Sequence, residues 1–308
     1  MYFPKFLLAL ASLLWLSACD SDELPELSFV ALGDAPYGKP KKVYPPYRAL
    51  IRAVNASDPT LVVHVGDTND HRTCDDDLLD TMRGFMNDFA APLLYTPGDN
   101  EWTDCRNTSK GKFKPQERLA YIRSTYFGNS MTLGKTPLPV ENQAAAGYPE
   151  NARLKINNIG FITVHVVGSN NNLDPDRLSS VKEFMARNQA DLEWLSQSFD
   201  AFEDTDAIVV ALHADMFRAV SGFSRGWLPW SPYRDIGVML GTRSSAWKKP
   251  VLLLYGDSHD FKSFQPFPEI RPYLYAIEVY GDPDIKAIEI SVRPGASEPF
   301  SVTDVFEP

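Results

Sequence analysis

Histidine and cysteine are scarce in this chain, with five and three copies in 308 residues. Positive charge is also short: 30 Lys and Arg stand against 40 Asp and Glu, a formal net charge of −10, and no Lys/Arg cluster interrupts the acidic balance. An extended phosphate backbone therefore has little to hold on to, and no nucleic-acid partner is expected. A small anionic substrate stays compatible with this acidity if metal ions or local donors neutralise the site. The chain has no low-complexity linker and no internal repeat of fixed period, which excludes disordered, collagen-like and solenoid architectures. With 44% hydrophobic residues it is long enough to bury one large core or two modest ones.

The one long apolar run, Phe6 to Leu16, stands at the N-terminus after Lys5 and before small residues ending at Cys19. It is shorter than the ~20 residues of a bilayer span, and Asp20, Asp22, Glu23 and Glu26 follow at once. This order of parts reads as an export signal, with a buried core helix as the plainer alternative. Leu16-Ser17-Ala18-Cys19 resembles the lipobox of bacterial lipoproteins. That resemblance implies a signal peptide over 1–18, a lipidated Cys19, a short tether over 19–27 and a single domain over 28–308. The mature protein would then be exported and held by its lipid at the periplasmic side of the bacterial cell envelope. With Cys19 so used, Cys74 and Cys105 are left as an even pair in an oxidising compartment, for which a disulfide is the default and two free buried thiols the alternative. Closing that loop stabilises a fold by roughly 3 kcal/mol on chain-entropy grounds.

Continuous apolar runs at Phe29–Leu32, Leu61–Val65, Leu93–Tyr95, Phe161–Val164, Ile208–Leu212 and Val251–Tyr255 suit strands buried on both faces. Helical spacing connects the early ones. Tyr47, Leu50, Ile51 and Val54 form one stripe, Leu78 to Phe89 a stronger one opened by Asp75, Asp76 and Asp77, and Leu119, Ile122 and Tyr126 a third. Val181, Phe184, Leu192, Leu195 and Phe199 lie within a long fourth helix. Strand–helix alternation predicts a layered α/β domain. Tyr275–Val279 and Ala287–Val292 alternate about Gly281-Asp282-Pro283-Asp284 and read as a closing β-hairpin. Pro- and Gly-bearing stretches at 134–151 and 221–234 read as long surface loops.

The strand ends share a signature. With 18 Gly and 26 Asp, chance gives about 1.5 Gly-Asp pairs, yet Gly33-Asp34, Gly66-Asp67, Gly98-Asp99, Gly256-Asp257 and Gly281-Asp282 all occur. The first four follow buried-strand candidates. Ligand groups gather outside the carboxyl ends of strands in open α/β sheets, so Asp34, Asp67, Asp99 and Asp257 are expected to converge on cations. The fifth pair is explained by turn formation alone. His213 and His259 sit at strand exits beside these carboxylates and suit metal ligation. His64 and His165 lie inside apolar strands and read as structural, and His71 follows Asp67 and Asp70 in a loop.

The order Gly33-Asp34-Ala35-Pro36, Gly66-Asp67-Thr68-Asn69-Asp70, Gly98-Asp99-Asn100-Glu101, His213, Gly256-Asp257-Ser258-His259 resembles the five-block pattern of calcineurin-like metallophosphoesterases. The resemblance implies an α/β fold, a four-layer αββα sandwich with two mixed β-sheets flanked by helices, and two divalent metal ions at the strand ends. It implies Asp67 as the carboxylate shared by both metals, Asp34 and His259 on one and His213 on the other, with Asp99 and Asp257 as further ligands. Two cations about 3.5–4 Å apart activate water and neutralise a phosphoryl group during in-line displacement. The implied activity is hydrolysis of a small phosphate ester, monoester or diester.

Three departures from the family pattern bear on that activity. Pro36 stands where the first block usually has His, Asp99-Asn100 where the third has Asn-His, and Asp257 where the last block has its first His. The exchange of nitrogen for carboxylate moves metal preference toward Mn²⁺, Mg²⁺ or Fe²⁺ and away from Zn²⁺. Asn100 occupies the place of a His that assists at the substrate phosphate; an amide donates hydrogen bonds but delivers no proton. The nearest replacement acid in sequence is His71. Gly168-Ser169-Asn170-Asn171-Asn172 offers amides at the same sheet edge, so Asn170 and Asn171 join Asn100 as expected substrate contacts, with an Asx-rich turn as the alternative. Two rival readings remain: a non-catalytic metal- or phosphate-binding envelope lipoprotein on the same scaffold, and a carboxylate-rich Ca²⁺ module.

Overall fold

The computed structural model describes residue 1 and residues 27–70, 73–107, 111–220, 223–224 and 230–308. The segment read as an export signal, Cys19, most of the expected tether and His71 lie outside the described residues.

Two mixed sheets stack face to face. The first contains β1 (Leu27–Leu32), β2 (Val62–His64) and β3 (Leu93–Tyr95) in parallel, extended on the β1 side by antiparallel β13 (Ala287–Val292) and β14 (Phe300–Phe306). In the second, β6 (Ile159–Thr163), β7 (Ala207–Ala211), β10 (Val251–Tyr255) and β12 (Leu274–Glu278) run parallel. Antiparallel β4 (Glu141–Gln143) and β5 (Tyr148–Ile156) flank it on one side and β11 (Lys262–Phe264) on the other. A small ribbon of β8 (Ala219–Val220) and β9 (Phe223–Ser224) stands apart.

Alternation along each strand divides the apolar residues between two layers. Leu27, Phe29 and Ala31 of β1 meet Phe161, Val209, Leu252 and Leu254 of the other sheet, with the rings of Phe29 and Phe161 edge to face at 5.2 Å. Val30 and Leu32 point the other way, into α1 (Pro40–Ala56), α2 (Asp76–Met86) and α3 (Pro115–Tyr126). Ile208, Val210 and Leu253 likewise meet α5 (Leu178–Ala201) and α6 (Arg234–Trp247). Four layers, αββα, result, and every continuous apolar run noted above is a strand buried on both faces. Each fully buried aliphatic side chain contributes roughly 1.5–3 kcal/mol. Asp75 starts α2 as expected of an N-cap, its carboxylate accepting the Leu78 N–H at 2.8 Å.

Three expectations are corrected. The stretch read as a surface loop over 134–151 carries β4 and the start of β5. The 275–279 and 287–292 strands form no hairpin: β12 pairs with β10 in one sheet and β13 with β1 in the other, because both are wanted by neighbours in different sheets. Their connection crosses between the sheets at the end where the strands stop, which places Gly281-Asp282 there too. The stretch read as a loop over 221–234 gives way at Arg234 to α6, whose apolar contacts Ile236 and Leu240 are too few to mark a stripe in sequence.

Register brings the strand ends level. Leu32 pairs with His64 and His64 with Tyr95 in one sheet, and Ala211 pairs with Leu254 in the other. The loops that follow all leave from one edge of the sandwich.

Candidate metal centre

Asp34, Asp67, Asp99, His213, Asp257 and His259 come together at that edge, from both sheets. Ligand atoms of Asp34, Asp67 and His213 lie within 4.8 Å of one another, as do those of Asp99, His213 and Asp257, so His213 belongs to both sets. Its Nε2 is 2.9 Å from Asp99 Oδ1 and 3.4 Å from Asp67 Oδ1. Its Nδ1 meets the Val65 carbonyl at 2.9 Å, which accepts only, so Nδ1 carries the hydrogen and Nε2 is turned to the carboxylates. His259 repeats the device: Nδ1 donates to the Asp282 carbonyl at 3.0 Å and Nε2 lies 3.6 Å from Asp34 Oδ1. The fifth Gly-Asp pair, expected to be a plain turn, is thus part of the site, and the Asp282 N–H also binds the Asp34 carbonyl at 3.0 Å.

The backbone is bent to present these groups. Asp34, Asp67, Asp257 and His259 have φ of 50, 54, 78 and 62°, in the left-handed region. Each such residue costs of order 1 kcal/mol or more and persists only where its surroundings hold it. The adjoining glycines clear space for carboxylates from neighbouring strands. A Cβ on Gly98 would stand 2.0 Å from Asp67 Oδ1, and one on Gly256 2.1 Å from Asp34 Oδ2. Gly66 instead makes room for the backbone of Gly98, and Gly33 for the Val65 side chain, so each glycine of the series serves a close approach where the strands end.

Hydrogen bonds fix the shell. Asp67 accepts the Asn100 N–H at 3.0 Å and the Tyr37 hydroxyl at 2.6 Å. Both N–H bonds of the Asn100 amide are committed inside the protein, to Tyr37 Oη and to the Asn69 carbonyl, each at 2.9 Å. Asn100 therefore lies beside the site with its donors already used. Buried Glu101 accepts N–H groups of Gly98 and Asp67 on one oxygen and the Thr68 hydroxyl on the other, tying the second and third blocks together. The Cys74–Cys105 disulfide joins the same two loops.

The Asn-rich segment contributes differently from expectation. Residues 169–172 all have positive φ, a left-handed turn at α4 (Gly168–Asn171), which asparagine tolerates better than most residues. Asn171 is fully buried, accepting from Arg187 Nη1 at 2.7 Å, and the Asn170 amide donates to the Leu173 carbonyl at 2.7 Å. These bonds hold the turn. Ser169 reaches the site: its Oγ is 2.7 Å from Asp99 Oδ2 and 2.7 Å from Asp104 Oδ1. The sequence assigns no site role to Tyr37, Glu101, Ser169 or Asp282, although Glu101 ends the third block, Ser169 lies in the Asn-rich segment and Asp282 belongs to the Gly-Asp series.

Burial pushes the Asp34 and Asp67 carboxyls well above the ordinary range, and repulsion from Asp257 and Asp99 respectively adds to it. Asp257 is raised to about 6 by burial and by Asp99. His213 is buried, yet Asp67 and Asp99 raise its pKa well above that of a free imidazole. Burial alone would raise Asp99, but the hydrogen bond and charge of His213 together with the Ser169 hydroxyl bring it below the ordinary carboxylate range. No Lys or Arg forms an ion pair with any of the four carboxylates among the described residues. Four carboxylates and two imidazoles, held close and short of positive charge, fit divalent cations, and the oxygen-rich set suits Mn²⁺, Mg²⁺ or Fe²⁺. His64 and His165 are buried and belong to neither ligand set among the described residues. Burial lowers His64 to about 3, and its Nδ1 accepts the Gly66 N–H at 3.2 Å.

The profile of calcineurin-like phosphoesterases matches residues 28–261. The chain belongs to this family. A dimetal phosphatase from Danio rerio has a similar fold, with a TM-score of 0.50 at 11% identity, the match covering 85% of this chain and 95% of that one. At that identity the likeness speaks for the fold alone. No curated protein matches the chain in sequence. As a calcineurin-like phosphoesterase the chain departs from the pattern at the three positions noted above. The structure shows what stands beside them: Tyr37 follows Pro36 and reaches Asp67, while Asp99 and Asp257 both contact the His213 set.

Proposed function

We propose that the protein is a divalent-metal-dependent hydrolase of small phosphate esters, monoester or diester. The observation that carries this reading is the pair of overlapping ligand sets that share His213, built from both sheets and lacking a compensating Lys or Arg. When bound, divalent cations there supply water activation and neutralise the phosphoryl oxygens. The chain's own residues do the rest. Asp67 belongs to one ligand set and lies beside the other through His213, His213 and His259 hold fixed tautomers, and Glu101 with the disulfide keeps the second and third blocks in register. Neither Asn100 nor Tyr37 has an uncommitted hydrogen to give a departing oxygen, since each donates within the protein.

Two consequences follow for the test. A panel of chromogenic mono- and diesters assayed with Mn²⁺, Fe²⁺, Mg²⁺ and Zn²⁺ should show turnover that depends steeply on leaving-group pKa, because an acidic leaving group needs no proton. A flat dependence would mean that another acid acts, with His71 the group to replace next. The committed Asn100 amide also favours a second reading, a non-catalytic metal- or phosphate-binding protein on this scaffold. Stoichiometric metal with no turnover of any ester would establish that reading.

We also propose export and lipid anchoring through Cys19, on the strength of the Leu16–Cys19 match. Mass analysis of membrane-extracted protein should find an acylated Cys19 at the mature N-terminus, and Cys19→Ser should block that processing. Lipid-free protein cut elsewhere would overturn the proposal.

A further inference from the structure

A cavity of about 640 Å³ opens beside the metal centre, with Asp257 and His259 in its wall. Its size falls within the range of small-molecule sites, roughly 300–1,000 Å³. Through Asp257 and His259 this space adjoins the ligand sets that would hold a phosphoryl group. The cavity is aromatic on one side: Phe217 packs against Tyr255 at 5.6 Å and Phe264 at 5.3 Å between ring centroids. Its charged side chains away from the ligand set are nearly all engaged. Lys262 is tied to Glu278 and Asp260 at 3.1 and 3.2 Å, and Asp215 Oδ1 accepts the Phe217 N–H at 2.8 Å. Arg218 is exposed at the cavity and has no hydrogen bond or ion pair among the described residues.

We propose that this cavity is the subsite for the organic part of the ester, and that it selects an aromatic group bearing a second anionic substituent. The proposal rests on the phosphoesterase reading for its orientation. Stacking or edge contact with the Phe217–Phe264 cluster favours a flat ring over an alkyl chain. The guanidinium of Arg218 offers a paired set of donors to a carboxylate or a second phosphate. Neither feature serves the metal ligands, which reach the cavity only through Asp257 and His259.

The test separates recognition from chemistry by using phosphonates, whose C–P bond is not hydrolysed and for which leaving-group acidity is irrelevant. Dissociation constants of methylphosphonate, benzylphosphonate and 4-carboxybenzylphosphonate are measured by calorimetry on the full, metal-loaded chain, alongside turnover of a chromogenic ester. Benzylphosphonate should bind about tenfold more tightly than methylphosphonate, and Phe264→Leu, which keeps bulk but removes the ring, should erase most of that gain. The added carboxylate should tighten binding about fivefold further in wild type and not in Arg218→Gln. Equal binding of the methyl and benzyl compounds overturns the subsite, and a carboxylate gain that survives Arg218→Gln overturns the role of Arg218. Aromatic selectivity without turnover of any ester sinks the hydrolase reading and leaves the subsite standing. Turnover without selectivity does the reverse, and no binding of any probe removes both.

Discussion

Among the described residues, two buried clusters of ionisable groups combine carboxylates with histidine. In one, Glu150 accepts from Arg123 Nε at 3.0 Å on both oxygens and from His165 Nδ1 at 2.8 Å, while Arg187 binds Glu183 at 2.7 Å and the His165 carbonyl at 2.6 Å. Burial raises the third acid, Asp191, to about 8, so it is neutral at pH 7, and burial also lowers His165 into its neutral form. Two carboxylates thus face two guanidinium groups. At the strand ends, Asp34, Asp67, Asp99 and Asp257 face two imidazoles and, among the described residues, no guanidinium. A cluster that balances its own charge is architecture; one that leaves a deficit is completed from outside.

The sharpest way to break this contrast is Asp67→Asn. Metal content, read by elemental analysis, should fall, and ester turnover should drop by about 10³-fold or more, the scale of roughly 4 kcal/mol. The metal-free variant should be at least as stable as the metal-free wild type, since one of the mutually repelling buried carboxyls is gone while an acceptor for Tyr37 remains. A destabilisation above about 1 kcal/mol, together with retained metal, would show that the strand-end cluster balances itself after all. The balanced cluster should behave oppositely. Arg187→Met leaves Glu183 without its cation and should cost about 3–4 kcal/mol in denaturant unfolding, with no change in metal stoichiometry if the turn at residues 168–172 keeps its place.

Next in size is the disulfide, which belongs to the site end alone. Cys74→Ser with Cys105→Ser should lower stability by about 3 kcal/mol and weaken metal binding as well, because the bridge joins the loops that carry Asp67 and Asp99. Loss of stability with unaltered metal affinity would show that Glu101 alone sets that spacing.

The difference between the clusters also explains what was readable in the sequence. The strand-end ligands are announced by Gly-Asp because the crowded strand ends leave no room for a Cβ at Gly33, Gly66, Gly98 or Gly256, and the two-faced strands are announced by unbroken apolar runs. Each is a local signal. Glu101, Tyr37 and Ser169 act through partners 33, 30 and 70 residues away, and nothing near them in the chain reflects those contacts. The arginine-balanced cluster was equally silent: Arg187 sits on a helix whose buried face includes Asn188, Asp191 and Ser198, a pattern that reads as solvent-facing. The hairpin was misread for the same reason, since alternation in β12 and β13 reports burial and not which strand lies alongside.

Titration offers a smaller handle on the balanced cluster. Burial alone would raise Glu150, but the hydrogen bond from His165 and the charge of Arg123 bring it down to about 2. A carboxylate depressed from an unfolded value near 4.3 contributes stability that is present above that pH and lost as pH falls toward 2, on the order of 3 kcal/mol at most. Asp191 works with the opposite sign, its neutral form favoured in the fold, so it erodes stability as pH rises from about 4 to about 8. Asp191→Asn should flatten the alkaline side of the stability profile and leave the acid side unchanged. A profile unchanged on both sides would mean that the arginines already hold Asp191 ionised.

The smallest effect is expected at Ser169, where the turn held by the balanced cluster touches the unbalanced one. Arg187 fixes Asn171, Asn171 anchors the left-handed turn, and the turn delivers the Ser169 hydroxyl to Asp99. That hydroxyl has one hydrogen and two carboxylates at 2.7 Å, Asp99 and Asp104, so it satisfies one and leaves the other to a second donor. Donation to Asp99 orients the oxygen not shared with His213, an outer-shell role whose loss costs about 10-fold in metal affinity. Ser169→Ala should show that loss in metal titrations, with global stability changed by less than about 1 kcal/mol because the residue is exposed. Ser169→Thr should restore part of the affinity, since it returns the donor. If Ser169→Ala binds metal as wild type does, the hydroxyl serves Asp104 and the two clusters are independent. If Arg187→Met and Ser169→Ala weaken metal binding to the same degree and not additively, the balanced cluster acts on the site through this one hydroxyl.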